Sequence, residues 1–325
     1  MPEFMPLKKD IFMVKRYQLV DNKVMETAEG EQGQIIVYIN PDEAEKKHLL
    51  EDYKIDEHTL NSTFDPDEIS RLEFEPDHVA MIFKRPKNYS SKDHFLFKVA
   101  SMGVFLFKDR LIVLLTDDIQ LFTGKLFTRV TSLLDVALRL IGRTIYHFME
   151  HLKVINMITD SLEQKINTAM ENKYLLNLFT LEKSLVYYLA AINSNSMLIE
   201  KIKNSAAKLA MTLENLELLD DVTIESKQCA RQAEIYSTIL ASLMDARASI
   251  VSNNISVLMK TLNIITIGIM MPTLVVSIFS MNVALPLQAQ HPLSFFFVVI
   301  LSLASMAAFF VFWKRKSDRQ FHSRS

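Results

Sequence analysis

Residues 261–282, TLNIITIGIMMPTLVVSIFSMN, decide how the chain is to be read. They contain no Asp, Glu, Lys or Arg, and the charge-free run continues to Trp313. About 20 helical residues cross a ~30 Å hydrocarbon core. Two such segments fit here, roughly 262–281 and 293–313, within the membrane part 261–313. Pro286, Gln288, Gln290 and Pro292 mark a short polar turn between them, in a loop over 282–292. Lys260 precedes the first segment. Lys314, Arg315, Lys316 and Arg319 follow the second, in a basic tail over 314–325, and the turn has no Lys or Arg. The positive-inside bias then predicts a multi-pass protein of the cell membrane, with both termini cytoplasmic and the turn outside. Two buried helices of a soluble protein would need neither the charge-free length nor the basic stop.

The other 260 or so residues are of a different kind. Charged residues make up 23% of the 325-residue chain and the formal net charge is −2. That balance excludes the basic surface expected of a nucleic-acid-binding protein. Cys229 is the single cysteine, so an intrachain disulfide and a thiolate metal cluster are both excluded. A lone thiol packed as a small hydrophobe suits a reducing compartment. The N-terminal MPEFMPLKKD lacks the apolar core of a signal peptide. There is no glycine-rich phosphate loop, no HExxH and no nucleophile elbow, so the chain is not expected to be an enzyme.

Residues 1–123 read as a mixed α+β domain. The runs IIVYIN (35–40), HVAMIFKR (78–85), MGVFLFK (102–108) and LIVLLT (111–116) are short, β-branched or aromatic, and bounded by polar breaks. Asp109 and Arg110 between the last two suggest a tight hairpin. NPDEAEKKHLLEDY (40–53) opens with a helix-start signal. FDPDEISRLEFEPD (64–77) predicts a second helix, with Asp65 as its cap and Pro66 in its first turn.

Beyond Gly124 only Gly142, Gly268 and Pro272 interrupt the chain before Asn282. Leu133, Val136, Leu140, Ile141, Ile145, Phe148, Leu152 and Ile155 recur at steps of three and four, a helical period. Breaks near 170–174 and 203–208 predict three long helices, forming a stalk over 124–260. The last starts near Thr212 and continues into the first apolar segment. About 65 residues at 1.5 Å each make a rod of nearly 100 Å. Helices this long need neighbours to cover their apolar stripes, which points to a bundle or an oligomeric stalk.

The first apolar segment carries Asn263, Thr266, Thr273 and Ser277, with Ser280 and Asn282 at its end. Thr266, Thr273, Ser277 and Ser280 share a broad helical face, near Leu262 and Met270. Two readings fit this stripe. Hydroxyls join spans to one another through hydrogen bonds. Alternatively, two spans per chain cannot enclose water, but a ring of subunits can, with the stripe turned inward. Rings of neutral oxygens suit a cation that keeps its water. Mg²⁺ dehydrates reluctantly, so carboxamide and hydroxyl oxygens facing its hydration shell cost less than direct ligation.

The run LMDARASIVSNNISVLMKTLNIITIGIMMPTLVVSIFSMN (243–282), a short loop, a second span and a Lys/Arg tail resemble the CorA family of magnesium channels. SNN, VLMKTLN and the Pro-Thr pair match its pattern, as do DEHTL and DEISRLEFE upstream, so the likeness covers essentially the whole chain. The resemblance implies a funnel-shaped homopentamer in a lipid bilayer, conducting divalent cations through a pore lined by the first span. It implies a selectivity ring at Asn282 with Met281 beside it. Ser280, Ser277 and Thr273 would line the pathway, with Met270 and Leu262 at apolar constrictions and Ser256 at the cytoplasmic mouth. Asp221 and Asp245 match acidic positions for cytoplasmic Mg²⁺ sensing, with Asp65 as their partner on a neighbouring subunit. Mg²⁺ bridging these acids would hold the pore closed.

Three features depart from the family pattern. Ser280 stands where the family has Gly in Gly-Met-Asn. A left-handed backbone there would disfavour Ser. The loop VALPLQAQHP (283–292) has no acid to concentrate cations, and His291 adds a titratable group. These bear on ion selectivity rather than on transport. Two alternatives follow: a Zn²⁺, Co²⁺ or Ni²⁺ transporter of the same family driven by protons, and a non-conducting membrane sensor or scaffold.

Overall fold

The computed structural model describes residues 13–27, 33–89, 95–168, 172–281 and 293–322. The chain forms two compact units, Met1–Met244 and Asp245–Ser325.

The first unit is built on a seven-stranded sheet. Its strands are β1 (Met13–Val20), β2 (Lys23–Glu26), β3 (Ile35–Ile39), β4 (Arg71–Phe74), β5 (His78–Pro86), β6 (Val99–Phe107) and β7 (Leu111–Leu115). The order is β2-β1-β3-β7-β6-β5-β4. Only β3 and β7 pair in parallel, with Val37 opposite Val113; every other pair is antiparallel. The β6–β7 hairpin turns at 108–110 as expected. The β1–β2 hairpin has no counterpart among the four expected strands. Its residues alternate without an apolar run, and it closes at Asp21 and Asn22, with φ of 47° and 59°. Positive φ at both turn residues matches the twist of the flanking strands.

Two short helices follow β3. Asp42 caps α1 (Glu43–Glu51) in a reciprocal box: Glu45 N donates to Asp42 Oδ1 at 2.8 Å, and Asp42 N donates to Glu45 Oε2 at 3.0 Å. Asp56 caps α2 (Glu57–Ser62), accepting from Thr59 N at 3.0 Å. The helix expected over 64–77 does not form. Asp65 caps no helix; its Oδ1 accepts from Asp67 N at 2.8 Å in a tight turn. Arg71–Phe74 becomes β4, because its residues alternate: Leu72 is buried while Arg71 and Glu73 turn the other way and pair at 2.7 Å. Pairing with β5 then supplies the backbone hydrogen bonds a helix would have made.

Three long helices complete the first unit: α3 (Leu133–Thr168), α4 (Asn172–Asn204) and the start of α5 (Leu213–Phe279). The α4–α5 break falls where expected, over turns that end at Ala210 with φ of 48°. The expected break near 170–174 falls partly on residues outside those described.

Both faces of the sheet are covered, so its central strands are apolar on both sides. One face carries Val37, Phe83, Val104 and Val113 against Leu140, Phe148, Leu185 and Ile192 of α3 and α4, with Val222 and Cys229 of α5 in the same core. The other carries Tyr38, Phe105 and Leu114 against Leu49 of α1 and Leu60 of α2. Gly103 permits the second contact, because a Cβ there would lie 2.3 Å from Thr63 Cγ2. Burying Cys229 pushes its thiol up to about 12, so it packs as an apolar group. Asn195 of α4 ties its helix to the sheet. Its Nδ2 donates to Lys84 O at 2.7 Å, and its Oδ1 accepts from Lys84 N and Ser70 Oγ, both at 2.8 Å. A carboxamide thus takes the place of a missing neighbour strand for this residue of β5.

The second unit holds the remainder of α5 and α6 (Leu293–His322). Pro272 lies inside α5 and leaves one backbone acceptor without its helical donor.

Candidate functional site

Among the described residues, three helical segments are long and apolar enough to cross a membrane: Lys173–Asn204, Leu213–Phe279 and Phe295–Arg315. The first is already occupied by tertiary packing. In its most apolar window 39% is buried by the rest of the protein, against 6% in each of the others. Its buried side includes Asn195 and Ser184, both hydrogen-bonded to the sheet unit. The segments with free apolar surface are therefore the two anticipated ones.

The side of α5 that meets α6 is fixed by small residues. A Cβ on Gly268 would lie 3.2 Å from Phe310 Cζ. Ser302 Oγ donates to Pro272 O at 3.1 Å. Gly268 and Ser302 are the only buried residues from 245 to 315 whose burial is described. Ile264, Pro272, Val275 and Phe279 are half-buried, at steps that keep them on the Gly268 side.

At about 100° per residue, the opposite side of α5 can be assigned. Leu262, Thr266, Met270, Thr273, Ser277, Ser280 and Met281 all fall within about 60° of the direction away from Gly268. All are exposed; Met270 is 62% exposed. Ser256 lies at the margin of this face. It lines a groove of about 660 Å³ with Lys260, Asn263, Phe312 and Trp313. The sequence-predicted pathway residues from Leu262 to Met281 are thus brought into one stripe facing away from the partner helix, whereas Ser256 borders the groove shared with α6. Asn282 lies outside the described residues.

The hydroxyls of Thr266, Thr273, Ser280 and Ser256 are oriented by their own helix. Thr266 Oγ1 donates to Leu262 O, and Thr273 Oγ1 to Ile269 O, each at 2.8 Å. Ser280 Oγ donates to Ser277 O at 2.9 Å and Ser256 Oγ to Ser252 O at 3.0 Å. Each hydroxyl spends its proton on the backbone and keeps lone pairs available. These groups therefore act as acceptors toward anything beside the helix. Hydration water on a cation is a donor, so the chemistry is complementary. Ser280 continues the last helical turn, with its N–H donating to Val276 O at 3.1 Å. Its φ is not positive, so a Cβ there carries no left-handed strain.

The acidic residues are less assembled. Asp221 and Asp245 are exposed on α5, in the first and second units respectively, and Asp65 is exposed on the loop after α2. Among the described residues, no three His, Cys, Asp or Glu side chains cluster to hold a metal. Asp65 is nevertheless held firmly through its backbone. Lys84 Nζ donates to Pro66 O at 2.9 Å, to Asp65 O at 3.2 Å and to Ser101 Oγ at 2.8 Å, and Ser101 Oγ also donates to Asp65 O. Burial pushes Lys84 down to about 8, against the opposing pull of Asp65, Glu68 and Asp67. Nothing in HVAMIFKR marks this lysine beforehand, because only the pairing of β5 with β6 brings it beneath the 65–66 loop.

Residues 30–316 match the family described as CorA-like Mg2+ transporter protein. The cobalt/magnesium transport protein CorA of Methanocaldococcus jannaschii is 24% identical over 291 residues, 85% of this chain and 88% of that protein. The complete structure of the CorA magnesium transporter from that organism superposes with a TM-score of 0.76 at 21% identity, covering 95% of this chain and 99% of the other. The full-length CmaX protein has the same fold, with a TM-score of 0.70 at 12% identity over 96% and 99% of the two chains.

Proposed function

The chain belongs to the CorA-like Mg2+ transporter family, and from that premise we propose that it conducts hydrated divalent cations, Mg²⁺ and Co²⁺ foremost, across a membrane as a homopentamer. One observation carries the reading of the pathway. Thr266, Thr273, Ser277, Ser280, Met270 and Met281 share the face turned away from α6, and Thr266, Thr273 and Ser280 spend their protons on the helix backbone and keep their lone pairs. Copies of α5 arranged around an axis would turn this face inward and leave α6 toward lipid. Thr273 and Ser277 would accept hydrogen bonds from the ion's water, while Leu262 and Met270 form apolar rings about 12 Å apart along the helix. Such rings exclude water when narrow and serve as gates. Asn282 would place one carboxamide oxygen per subunit at the outer mouth, beside Met281 and Ser280.

Regulation is read the same way. Among the described residues Asp221 and Asp245 have no hydrogen-bond or ion-pair partner, and the Lys84 clamp sets the position of Asp65. Mg²⁺ shared between such carboxylates of adjacent subunits would favour the closed ring, and its loss would leave like charges unscreened. Both termini would face the cytoplasm, from the placement of Lys260 and of the basic tail.

The deciding experiment is a competition series in proteoliposomes. Mg²⁺ and Co²⁺ should pass without a pH gradient, and Zn²⁺ and Ni²⁺ should compete weakly. Flux that requires a proton gradient would favour a proton-coupled Zn²⁺ or Ni²⁺ transporter. No flux of any divalent ion through assembled protein would favour a sensor or scaffold.

A further inference from the structure

A second feature lies in the first unit, away from the α5 stripe. The end of β5, residues 119–123 and α3 enclose a cavity of about 270 Å³. Its polar lining includes Arg85, Asn88, Gln120, Arg143 and His147, and among the described residues it contains no carboxylate.

Arg85 is 1% exposed. Its Nη2 donates to Asp117 Oδ2 at 2.8 Å and to Thr116 Oγ1 at 3.3 Å, and its Nη1 donates to Pro86 O at 3.4 Å. Its Nε is buried and has no hydrogen-bond partner among the described residues. Nε and Nη2 form one edge of the guanidinium fork, the edge that binds a carboxylate or phosphate with two parallel hydrogen bonds. Asp117 occupies only half of it. Asp117 is also shared, since its Oδ1 lies 3.4 Å from Lys87 Nζ. Arg143 is half-exposed, with Nη1 3.7 Å from Glu150 Oε1, too far for a good hydrogen bond.

The two guanidinium charges register on a third group. Burial, then Arg143 and Arg85, push His147 down to about 4. The imidazole is therefore neutral near pH 7 and able to donate one hydrogen bond. A buried donor without a partner is costly and rare in native proteins. An acid-free cavity lined by two arginines, one with an open buried N–H, is built to receive negative charge.

We infer that this cavity is a binding site for a small oxyanion, a phosphate or carboxylate group held by Arg143 and the open edge of Arg85. Asn88 and Gln120 supply neutral donors, and Met102 and Leu140 in the lining accommodate a short carbon chain on the anion.

The test uses the full chain in detergent, titrated with inorganic phosphate or with acetate at constant ionic strength set by chloride. Thermal unfolding and calorimetry are the readouts. Phosphate or acetate should stabilise saturably where chloride does not, and the anion that acts identifies the group. Arg143→Gln should weaken that binding about tenfold or more. Arg231→Gln, on the exposed surface of α5, should leave it unchanged. Asn88→Asp, which places a carboxylate in the lining, should abolish binding, and it serves if Arg143→Gln fails to fold. Absence of saturable stabilisation by either anion, or equal binding in wild type and the folded variants, would overturn the proposal.

Discussion

The two units hide apolar surface in opposite ways. In the first, Phe83, Phe105, Phe148 and Leu185 are fully buried by the chain itself, between helix layers on both faces of one sheet. In the second, Leu274, Phe295, Phe312 and most of their neighbours stay open, and Gly268 and Ser302 alone are buried among the residues whose burial is described. A water-soluble protein does not leave so much contiguous apolar surface uncovered. The difference teaches that the first unit is specified by its own packing. The second leaves its apolar surface to be covered by lipid. Mutations should therefore act through stability in one and through transport in the other.

The sharpest separation is expected at Asn282. Asn282→Ala should reduce Mg²⁺ flux by two orders of magnitude or more while sizing shows an intact oligomer. A loss of ~1 kcal/mol per hydrogen bond, repeated in every subunit, compounds into a large barrier. Ser280→Gly restores the family tripeptide and should conduct at least as well. Near-normal flux through assembled Asn282→Ala channels would remove the filter assignment.

Phe148→Ala should cost the first unit about 3–5 kcal/mol, because the side chain leaves a cavity in a closed core. Leu274→Ala, on the open surface of α5, should cost far less in detergent. Chemical unfolding of both variants measures the contrast, and equal losses would mean that the second unit has a core of its own.

A smaller effect is expected from Asp221→Asn combined with Asp245→Asn. Mg²⁺ inhibition of the current should weaken by about fivefold or more, in the range of ordinary coupling energies. Unchanged inhibition would assign both acids to a solvated helix face.

The smallest effect is on the pH dependence of the first unit. His147 and His151 are both pushed down to about 4, chiefly by burial. The unfolded chain takes up these protons near pH 6.5 and the folded chain only near 4. Between those values the unfolded state binds more protons, so stability is full above about 6.5 and falls toward pH 4. The melting temperature should drop by a few degrees across that window, and His147→Gln should show a shallower slope. A flat wild-type profile would contradict the burial of these imidazoles.

Much of this was legible in the residues themselves. A charge-free run ending in Lys and Arg defines spans because the cost of burying charge in hydrocarbon does not depend on tertiary detail. The long helices and the break before Leu213 followed from a period of 3.6 and the scarcity of Gly and Pro. The stripe on α5 could be listed from spacing alone. Its direction could not, because a helix has no preferred side until Gly268 meets Phe310 and Ser302 meets the Pro272 carbonyl. The segment 64–77 shows the same limit. Asp and Pro signal a helix start locally, yet β5 presented an unpaired edge, and Leu72 could be buried with satisfied backbone only as a strand. Lys84, Arg85 and Asn195 sit in ordinary strand and helix text. The partners that fix them across the fold lie 17 to 125 residues away, so only the closed sheet with its helix layers could bring them together. Periodicity and charge are properties of neighbours in the chain, whereas a buried hydrogen bond is a property of neighbours in space.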